Sequence, residues 1–344
     1  MITLYILTLG ALAVFSYSQI DLNLTLFRFP WFLEFTRVLI SLGYFHRGLS
    51  TVIFLVLLFL LSIFYFLFSL RANKLTKKDL LVLISSIFAL GLVSYPAFSH
   101  DIFNYIFDAR TVVLHQQNPY VSTALMFPDD PWTRFMNWTH RTYPYGPFFL
   151  PLTLPFYLLG LGKFILTLFW FKVLFTLAYL GSSLIIFRLA GAKGLVYFAL
   201  NPLVITESIV SSHLDVVMLF FALQAYLLLL NNKRLFSLIA LGVSVGIKYT
   251  TVLLLPLFIL KKIGESRRGI FLVALAYFGA ILQSLGREIL PHYLIVPLGF
   301  TALALENKTL LWIGAIVSLV LLVVRYYNFL LTGVWWPLKL PVSG

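Results

Sequence analysis

The 344-residue sequence contains no cysteine and few charged residues, and each absence excludes a class of protein. Without cysteine the chain cannot form disulfides, thiolate nucleophiles, haem attachments or cysteine-ligated zinc and iron–sulfur sites. Only 11% of its residues are charged and 61% are apolar, whereas soluble domains have about 25% charged and 45–50% apolar residues. The composition therefore excludes a water-soluble globule and predicts a polytopic, all-α membrane protein.

Apolar runs that can cross a bilayer recur along the whole chain and leave no room for a separate soluble domain. We predict one integral membrane domain over residues 1–344 with about nine spanning helices. The first run has neither a basic start nor a small-residue cleavage site, so we expect a retained anchor helix. The predicted spans are Ile2–Tyr17, Ser50–Leu70, Leu80–Tyr95, Phe164–Phe187, Leu195–Val210, Val216–Leu230, Ile270–Leu285, Tyr293–Leu305 and Leu310–Val324.

The net charge of +13 comes from basic clusters in the short loops between these spans. The clusters are Arg71/Lys74/Lys77/Lys78, Arg188/Lys193, Lys233/Arg234 and Lys261/Lys262/Arg267/Arg268, with Lys308 alone. The positive-inside rule places all of them in the cytoplasm. Because topology already explains the basic residues, we predict no nucleic-acid partner.

This sidedness requires two broken apolar stretches, Pro147–Leu161 and Phe236–Leu260, to enter and leave the membrane on the same side. Their helix breakers are Pro147, Pro151, Pro155 and Gly160 in the first, and Gly242, Gly246 and Pro256 in the second. Non-helical backbone at membrane depth needs protein or water around it, so both re-entrant segments are predicted to line a cavity. Most acidic residues then fall outside, and chemistry that needs a carboxylate is predicted on the external face.

The long polar loop 97–146 is the predicted external catalytic loop, with short surface helices. On a helix that Ser99 would cap, Asp101, Tyr105 and Asp108 follow at i, i+4 and i+7 and share one face. The alternative is that Asp101 only caps the helix and complements its dipole while Asp108 pairs with Arg110 or a neighbour. Ionisable groups at a cavity in the bilayer are usually functional, which favours a chemical role for Asp101.

Six different short sequence elements lie in the middle of the chain. They are Asp101-Ile-Phe-Asn-Tyr105, Asn118-Pro119-Tyr120, Tyr143-Pro-Tyr-Gly-Pro147, Asn201-Pro202 with Ser212-His213-Leu214-Asp215, Gly246-Ile-Lys248 with Pro256, and Pro291-His292-Tyr293-Leu294. In this order they resemble the polyprenyl-phosphate-sugar-dependent glycosyltransferases of the GT-C superfamily, most closely the actinobacterial-type mannosyltransferases and glycosyltransferase family 87. The resemblance covers roughly Tyr95–Phe300.

The resemblance implies a GT-C-like helical bundle in the cell membrane, with Asp101 as the catalytic carboxylate. It also implies transfer of a hexose, mannose in particular, from a polyprenyl-phosphate donor to a glycan, glycolipid or protein acceptor. Family members often have tyrosine where Phe103 stands, and many are longer at the C-terminus, which leaves the acceptor open.

The chemistry of a glycosyl phosphate agrees with a single catalytic carboxylate. The phosphate is already a good leaving group, so a general base suffices and the acid of a glycosidase pair is not needed. The departing phosphate needs cations near the lipid head group. The candidates are Lys248, Lys163 and Arg287. The alternative for Lys248 is pairing with Asp215, Glu207 or a backbone carbonyl, and the alternative for Lys163 is snorkelling at the interface.

Further residues are candidates for binding the sugar or the acceptor. They are His100, Tyr105, Asp108, Tyr120, Tyr143, Tyr145, His213 and Asp215. Helix capping is an alternative for the His213/Asp215 pair, and membrane-interface packing is one for the tyrosines. A metal site needs three or four ligands and this pair supplies two, so a divalent metal remains an alternative that is not favoured, and we predict no cofactor.

A lipid-linked sugar flippase or secondary transporter without chemistry is the competing function. Transporters usually have internal repeats with paired broken helices. The two broken stretches here have unlike flanking sequences, and the acidic groups gather outside rather than at the membrane midplane. These features favour the enzyme.

The predicted sidedness can be tested with single cysteines, because the natural chain has none. Cysteines at Asn232 and Ser266 should be shielded from an impermeant thiol reagent in intact cells, while one at Thr123 should be labelled. Labelling at Ser266 with protection at Asn232 would show that Phe236–Leu260 spans the membrane.

Overall fold

The computed structural model describes residues 1–285, 290–304 and 308–335, and within these ranges it contains helices, turns and no β-strand. The all-α prediction is therefore confirmed for that part of the chain. The helices are α1 (Ile2–Ser16), α2 (Pro30–Ile40), α3 (Arg47–Leu70), α4 (Lys77–Val93), α5 (Asp101–Val113), α6 (Phe149–Leu158), α7 (Phe164–Ala199), α8 (Pro202–Val210), α9 (Asp215–Leu230), α10 (Arg234–Ile247), α11 (Tyr249–Ile259), α12 (Lys261–Gly264), α13 (Arg267–Leu285), α14 (Pro291–Leu303) and α15 (Lys308–Thr332).

Four helical segments in the described ranges are long and apolar enough to cross a membrane: Ile2–Gln19, α3, α7 and Leu311–Thr332 of α15. A fifth results if α8 and α9, which are bent by 110° at their junction, form one broken span. Helices α6, α10, α11 and α14 are apolar but shorter. The chain is thus a membrane protein, while the nine crossings and the two re-entrant segments stay predictions.

The predicted span Leu195–Val210 is not one continuous helix. The chain leaves helical geometry at Asn201, whose side-chain oxygen accepts a hydrogen bond from the Leu203 amide, and Pro202 then begins α8. A cap followed by proline starts a new helix even in fully apolar surroundings, which a hydropathy average cannot register. The preceding helix α7 also breaks at Gly191, whose φ of 64° and ψ of −160° suit glycine.

Helices α7, α9 and α14 pack together at the centre of the bundle, with α10 against α9 and α13 against α14. Helices α1, α3, α4 and α15 form the other side, where α15 packs on α3 and α4 packs on α7. Every residue from 194 to 219 is buried. The acidic and histidine side chains of this stretch therefore lie inside the protein.

The two broken apolar stretches touch each other through their backbones. The amides of Gly146 and Phe148 donate hydrogen bonds to the carbonyls of Ile247 and Gly246, at 3.0 and 2.9 Å. A Cβ on Gly146 would overlap the Gly246 carbonyl, so the close approach requires glycine there. The end of the 97–146 loop is thereby fixed beside the end of α10.

The 97–146 loop is held in place by a buried carboxylate, Asp130. Arg110 donates to it, His115 Nε2 lies 2.9 Å from it, and the Arg110 guanidinium stacks over Trp132 at 4.0 Å. Two short 3-10 helices, Ala124–Met126 and Pro131–Phe135, complete the loop. Although burial favours the neutral acid, the bond from Arg110 holds the pKa of Asp130 below its ordinary value. Since Asp130 is the partner of Arg110, the alternative that Arg110 pairs with Asp108 is wrong.

Arg110→Met should lower the free energy of unfolding by about 3 kcal/mol, because it leaves the carboxylate of Asp130, only 2% exposed, without its main counter-charge. Thermal unfolding in detergent measures the loss. Arg37→Met is the matched control, since the Arg37–Glu34 pair is 75% and 62% exposed and should contribute less than about 1 kcal/mol. Equal effects of the two variants would contradict a stabilising role for Asp130.

Candidate active site

Asp101 is the first residue of α5, and its position is set by a local hydrogen bond. Ser99 Oγ accepts from the Asp101 amide at 3.1 Å, but the N-cap residue is His100, whose side chain makes no capping bond, so the prediction of Ser99 as the N-cap is wrong. The Asp101 side chain is 24% exposed, and its Oδ2 lies 3.2 Å from His213 Nδ1. Burial favours the neutral acid, but His213 and Lys248 hold the pKa of Asp101 below its ordinary value. Asp101 is therefore an ionised carboxylate that a ligand can reach.

His213 lies in the break between α8 and α9, and its ring stands between two carboxylates. Nδ1 faces Asp101 and Nε2 lies 3.2 Å from Glu207 Oε2. The residue before it, Ser212, has a φ of 60°, a left-handed conformation that non-glycine residues rarely adopt. This turn directs the imidazole towards α5, so the structure brings the predicted residues Asp101 and His213 together.

Glu207 is the functional candidate that the sequence reasoning did not select. It lies in the π-helical turn Ile205–Val210 and is fully buried. Tyr326 donates a hydrogen bond to its Oε1, and His292 Nδ1 lies 3.9 Å from its Oε2. The His292 ring stacks on His213 with centroids 4.0 Å apart. An acidic residue inside an apolar run was the signal that could have identified it.

Lys248 forms an ion pair with Asp215, with Nζ and Oδ1 2.9 Å apart. Asp215 begins α9 and Lys248 directly follows α10, so the pair ties these helices together. The ammonium also lies 5.0 Å from the centre of the Tyr293 ring. The pairing alternative for Lys248 is thus confirmed. Because the lysine is 22% exposed and has three donor hydrogens, it can still bind a second anion.

Four predicted tyrosines form a continuous aromatic group that joins the segments Asn118–Tyr120 and Tyr143–Pro147 to α5. The ring centres of Tyr105 and Tyr145 are 5.4 Å apart, those of Tyr145 and Tyr143 5.5 Å, and those of Tyr143 and Tyr120 5.0 Å. Tyr120 also donates a hydrogen bond to the Tyr145 carbonyl at 3.2 Å. Tyr105 and Tyr143 are buried and support the group, whereas Tyr120, 42% exposed, offers a ring face to a ligand.

The remaining predicted site residues lie outside the group formed by Asp101, His213, Lys248 and the tyrosines, or at its edge. His100 Nδ1 lies 3.0 Å from the Phe135 carbonyl, so this ring atom faces the loop interior. Burial raises the pKa of Asp108, two turns along α5, to about 8. Lys163 is exposed in the turn before α7. Arg287 lies outside the described residues.

Comparison with protein families decides the class of activity. The family model for the N-terminal domain of alpha-(1->6)-mannopyranosyltransferase matches residues 23–264 of the sequence. This range contains Asp101, Glu207, His213 and Lys248. The chain belongs to this mannosyltransferase family. Neither a curated protein nor a solved structure matches it significantly. The matched range contains five of the six sequence elements, all but Pro291-His292-Tyr293-Leu294. Membership confirms the family resemblance and makes the protein a glycosyltransferase rather than a flippase or transporter.

If the ammonium of Lys248 contacts the donor phosphate, Lys248→Met should lower the affinity of the mannosyltransferase for its donor. A charge-assisted hydrogen bond is worth about 1.5–3 kcal/mol, so we expect a loss of at least about tenfold. Binding of a polyprenyl-phosphate sugar to the purified protein measures it.

Asp215→Asn is the matched variant for this test, because it breaks the same ion pair but keeps the cation. Donor affinity should be retained or increased in Asp215→Asn. Equal losses in the two variants would leave Lys248 as a structural partner of Asp215.

Proposed function

We propose that this mannosyltransferase transfers mannose from a polyprenyl-phosphate donor to a glycan, glycolipid or protein acceptor on the external face of the membrane. The observation that carries the proposal is the ionised, partly exposed carboxylate of Asp101. It stands at the start of α5, with His213 beside it and the Lys248/Asp215 pair close enough to influence its charge. Family membership supports the transferred sugar.

Asp101 acts as the general base in this proposal. Its carboxylate accepts the proton of the acceptor hydroxyl while that oxygen attacks the anomeric carbon. The bond between the anomeric carbon and the phosphate oxygen breaks, and the electron pair leaves with the polyprenyl phosphate. A single displacement of this kind inverts the anomeric configuration. No second carboxylate has to donate a proton, because phosphate leaves without one.

The neighbouring residues have separate roles. His213 holds the Asp101 carboxylate in position through its contact at 3.2 Å. Lys248 neutralises charge that develops on the departing phosphate, an electrostatic contribution that counts most where water is excluded. The exposed face of Tyr120 is suited to stacking against a sugar ring.

Asp101→Asn should reduce mannose transfer by about 10²- to 10⁴-fold, the usual effect of a lost general base. Asparagine has nearly the same shape but cannot accept the proton, so donor binding should survive. Turnover of a labelled polyprenyl-phosphate mannose at saturating acceptor is the measurement.

Asp108→Asn is the matched control on the same helix. With its pKa raised to about 8, Asp108 is mainly protonated at pH 7, and asparagine resembles that neutral form. This variant should therefore keep most of the activity. Near-normal turnover in Asp101→Asn would remove Asp101 from the mechanism, and equal losses at both positions would indicate a structural role for the helix face.

A further inference from the structure

We propose that Glu207, His213 and His292 form a binding site for a divalent transition-metal ion of the zinc class, set directly behind Asp101. Each residue offers one ligand atom, and these three atoms lie within 4.8 Å of one another. The site differs from the His213/Asp215 pair that the sequence suggested for a metal, because Asp215 pairs with Lys248 instead. The expectation of no metal rested on two ligands, whereas the fold assembles three.

The spacing of the ligand atoms is close to that of a metal site. Ligand atoms around tetrahedral zinc lie about 3.4 Å apart, given bond lengths of about 2.0–2.1 Å. Glu207 Oε2 lies 3.2 Å from His213 Nε2 and 3.9 Å from His292 Nδ1. The His213 and His292 rings are stacked, with their planes 28° apart, so the His292 ring has to turn out of the stack for its Nδ1 to share an ion with His213 Nε2. All three residues are buried, so an ion bound here would be shielded from solvent.

The donor chemistry selects the class of ion. Two imidazole nitrogens and one carboxylate oxygen suit zinc and neighbouring transition metals. Magnesium and calcium prefer oxygen ligands throughout, so they fit this set poorly. Three protein ligands leave a fourth position open, as in metal sites that bind water or substrate.

The surroundings supply the outer contacts that metal-ligating residues usually have. With Nε2 on the metal, His213 would donate its Nδ1 hydrogen to Asp101, a carboxylate–histidine–metal arrangement that fixes the ring. Tyr326 donates to the other oxygen of Glu207 and so leaves Oε2 free to act as the ligand. The negative charges of Glu207 and Asp101 would balance the charge of a divalent ion.

A second, independent observation is the lack of hydrogen-bond partners around the proposed site. Glu207 Oε2 is fully enclosed and has no hydrogen bond of acceptable geometry, although the His213 nitrogen is at ion-pair distance. The hydroxyls of Ser208 and Ser212, in the same turn and break, are also buried without partners. Buried polar atoms of this kind usually mark an ion or ordered water.

A metal here would join the break between α8 and α9 to the start of α14 and, through His213, would fix Asp101. The ion is thus a positioning element behind the proposed base. The proposal does not depend on the proposed function, because binding is measured without donor or acceptor.

The test is a titration of the chelator-treated, purified full-length protein with Co²⁺, which reports its coordination by visible absorption. We expect about one Co²⁺ per chain, displaced by Zn²⁺ and not by excess Mg²⁺. Glu207→Gln and His292→Ala should each weaken binding by at least about 100-fold, and Asp101→Asn by about 10- to 100-fold. His46→Ala, at an exposed histidine that contacts Ser41, is the control and should bind as the wild type does.

Two outcomes would overturn the proposal. If the wild-type protein takes up no Co²⁺, the site does not bind metal whatever the variants do, and His213 is an imidazolium between two carboxylates. If Glu207→Gln and His292→Ala bind Co²⁺ as tightly as His46→Ala, the ion is bound elsewhere. Size-exclusion profiles of the variants separate lost binding from lost folding.

Discussion

A carboxylate that is fully removed from solvent, Glu207, demands compensating charge and hydrogen bonds from the protein around it. Tyr326 of α15, His213 in the α8–α9 break and His292 of α14 all meet at this side chain. Elements distant in the sequence are therefore joined at one buried charge. Asp101 is oriented through the same group, since His213 contacts both carboxylates.

Irregular backbone at the centre of the bundle makes this arrangement feasible. The π-helical turn that carries Glu207, the cap at Asn201 and the left-handed Ser212 all occur where every neighbouring residue is buried. Such conformations are costly and tend to persist at functional sites, where surrounding contacts hold them. A continuous helix would direct Glu207 and His213 along a regular surface and could not place an imidazole between two carboxylates.

Two other charged pairs stabilise the structure around the site. Arg110 and Asp130 hold the 97–146 loop together, and Lys248 and Asp215 join α9 to α10. The four tyrosines pack the segments Asn118–Tyr120 and Tyr143–Pro147 on α5. The backbone hydrogen bonds from Gly146 and Phe148 fix the end of the 97–146 loop beside α10. The partly exposed Asp101, Lys248 and Tyr120 thus project from rigid supports, which suits a reaction that depends on positioning.

The sequence by itself determined the membrane class, the helical architecture and the family, and it selected Asp101 and His213 as candidates, because hydropathy and short motifs are local properties of the chain. It also predicted the Lys248–Asp215 pair as an alternative, whereas the N-cap of α5 is His100 rather than the predicted Ser99. Only the tertiary structure decided that Leu195–Val210 is broken, that Arg110 pairs with Asp130, and that Glu207 and His292 join His213. Those outcomes depend on which buried groups meet across distant helices, and the free energy of burying a charge is fixed by its neighbours in space rather than in sequence.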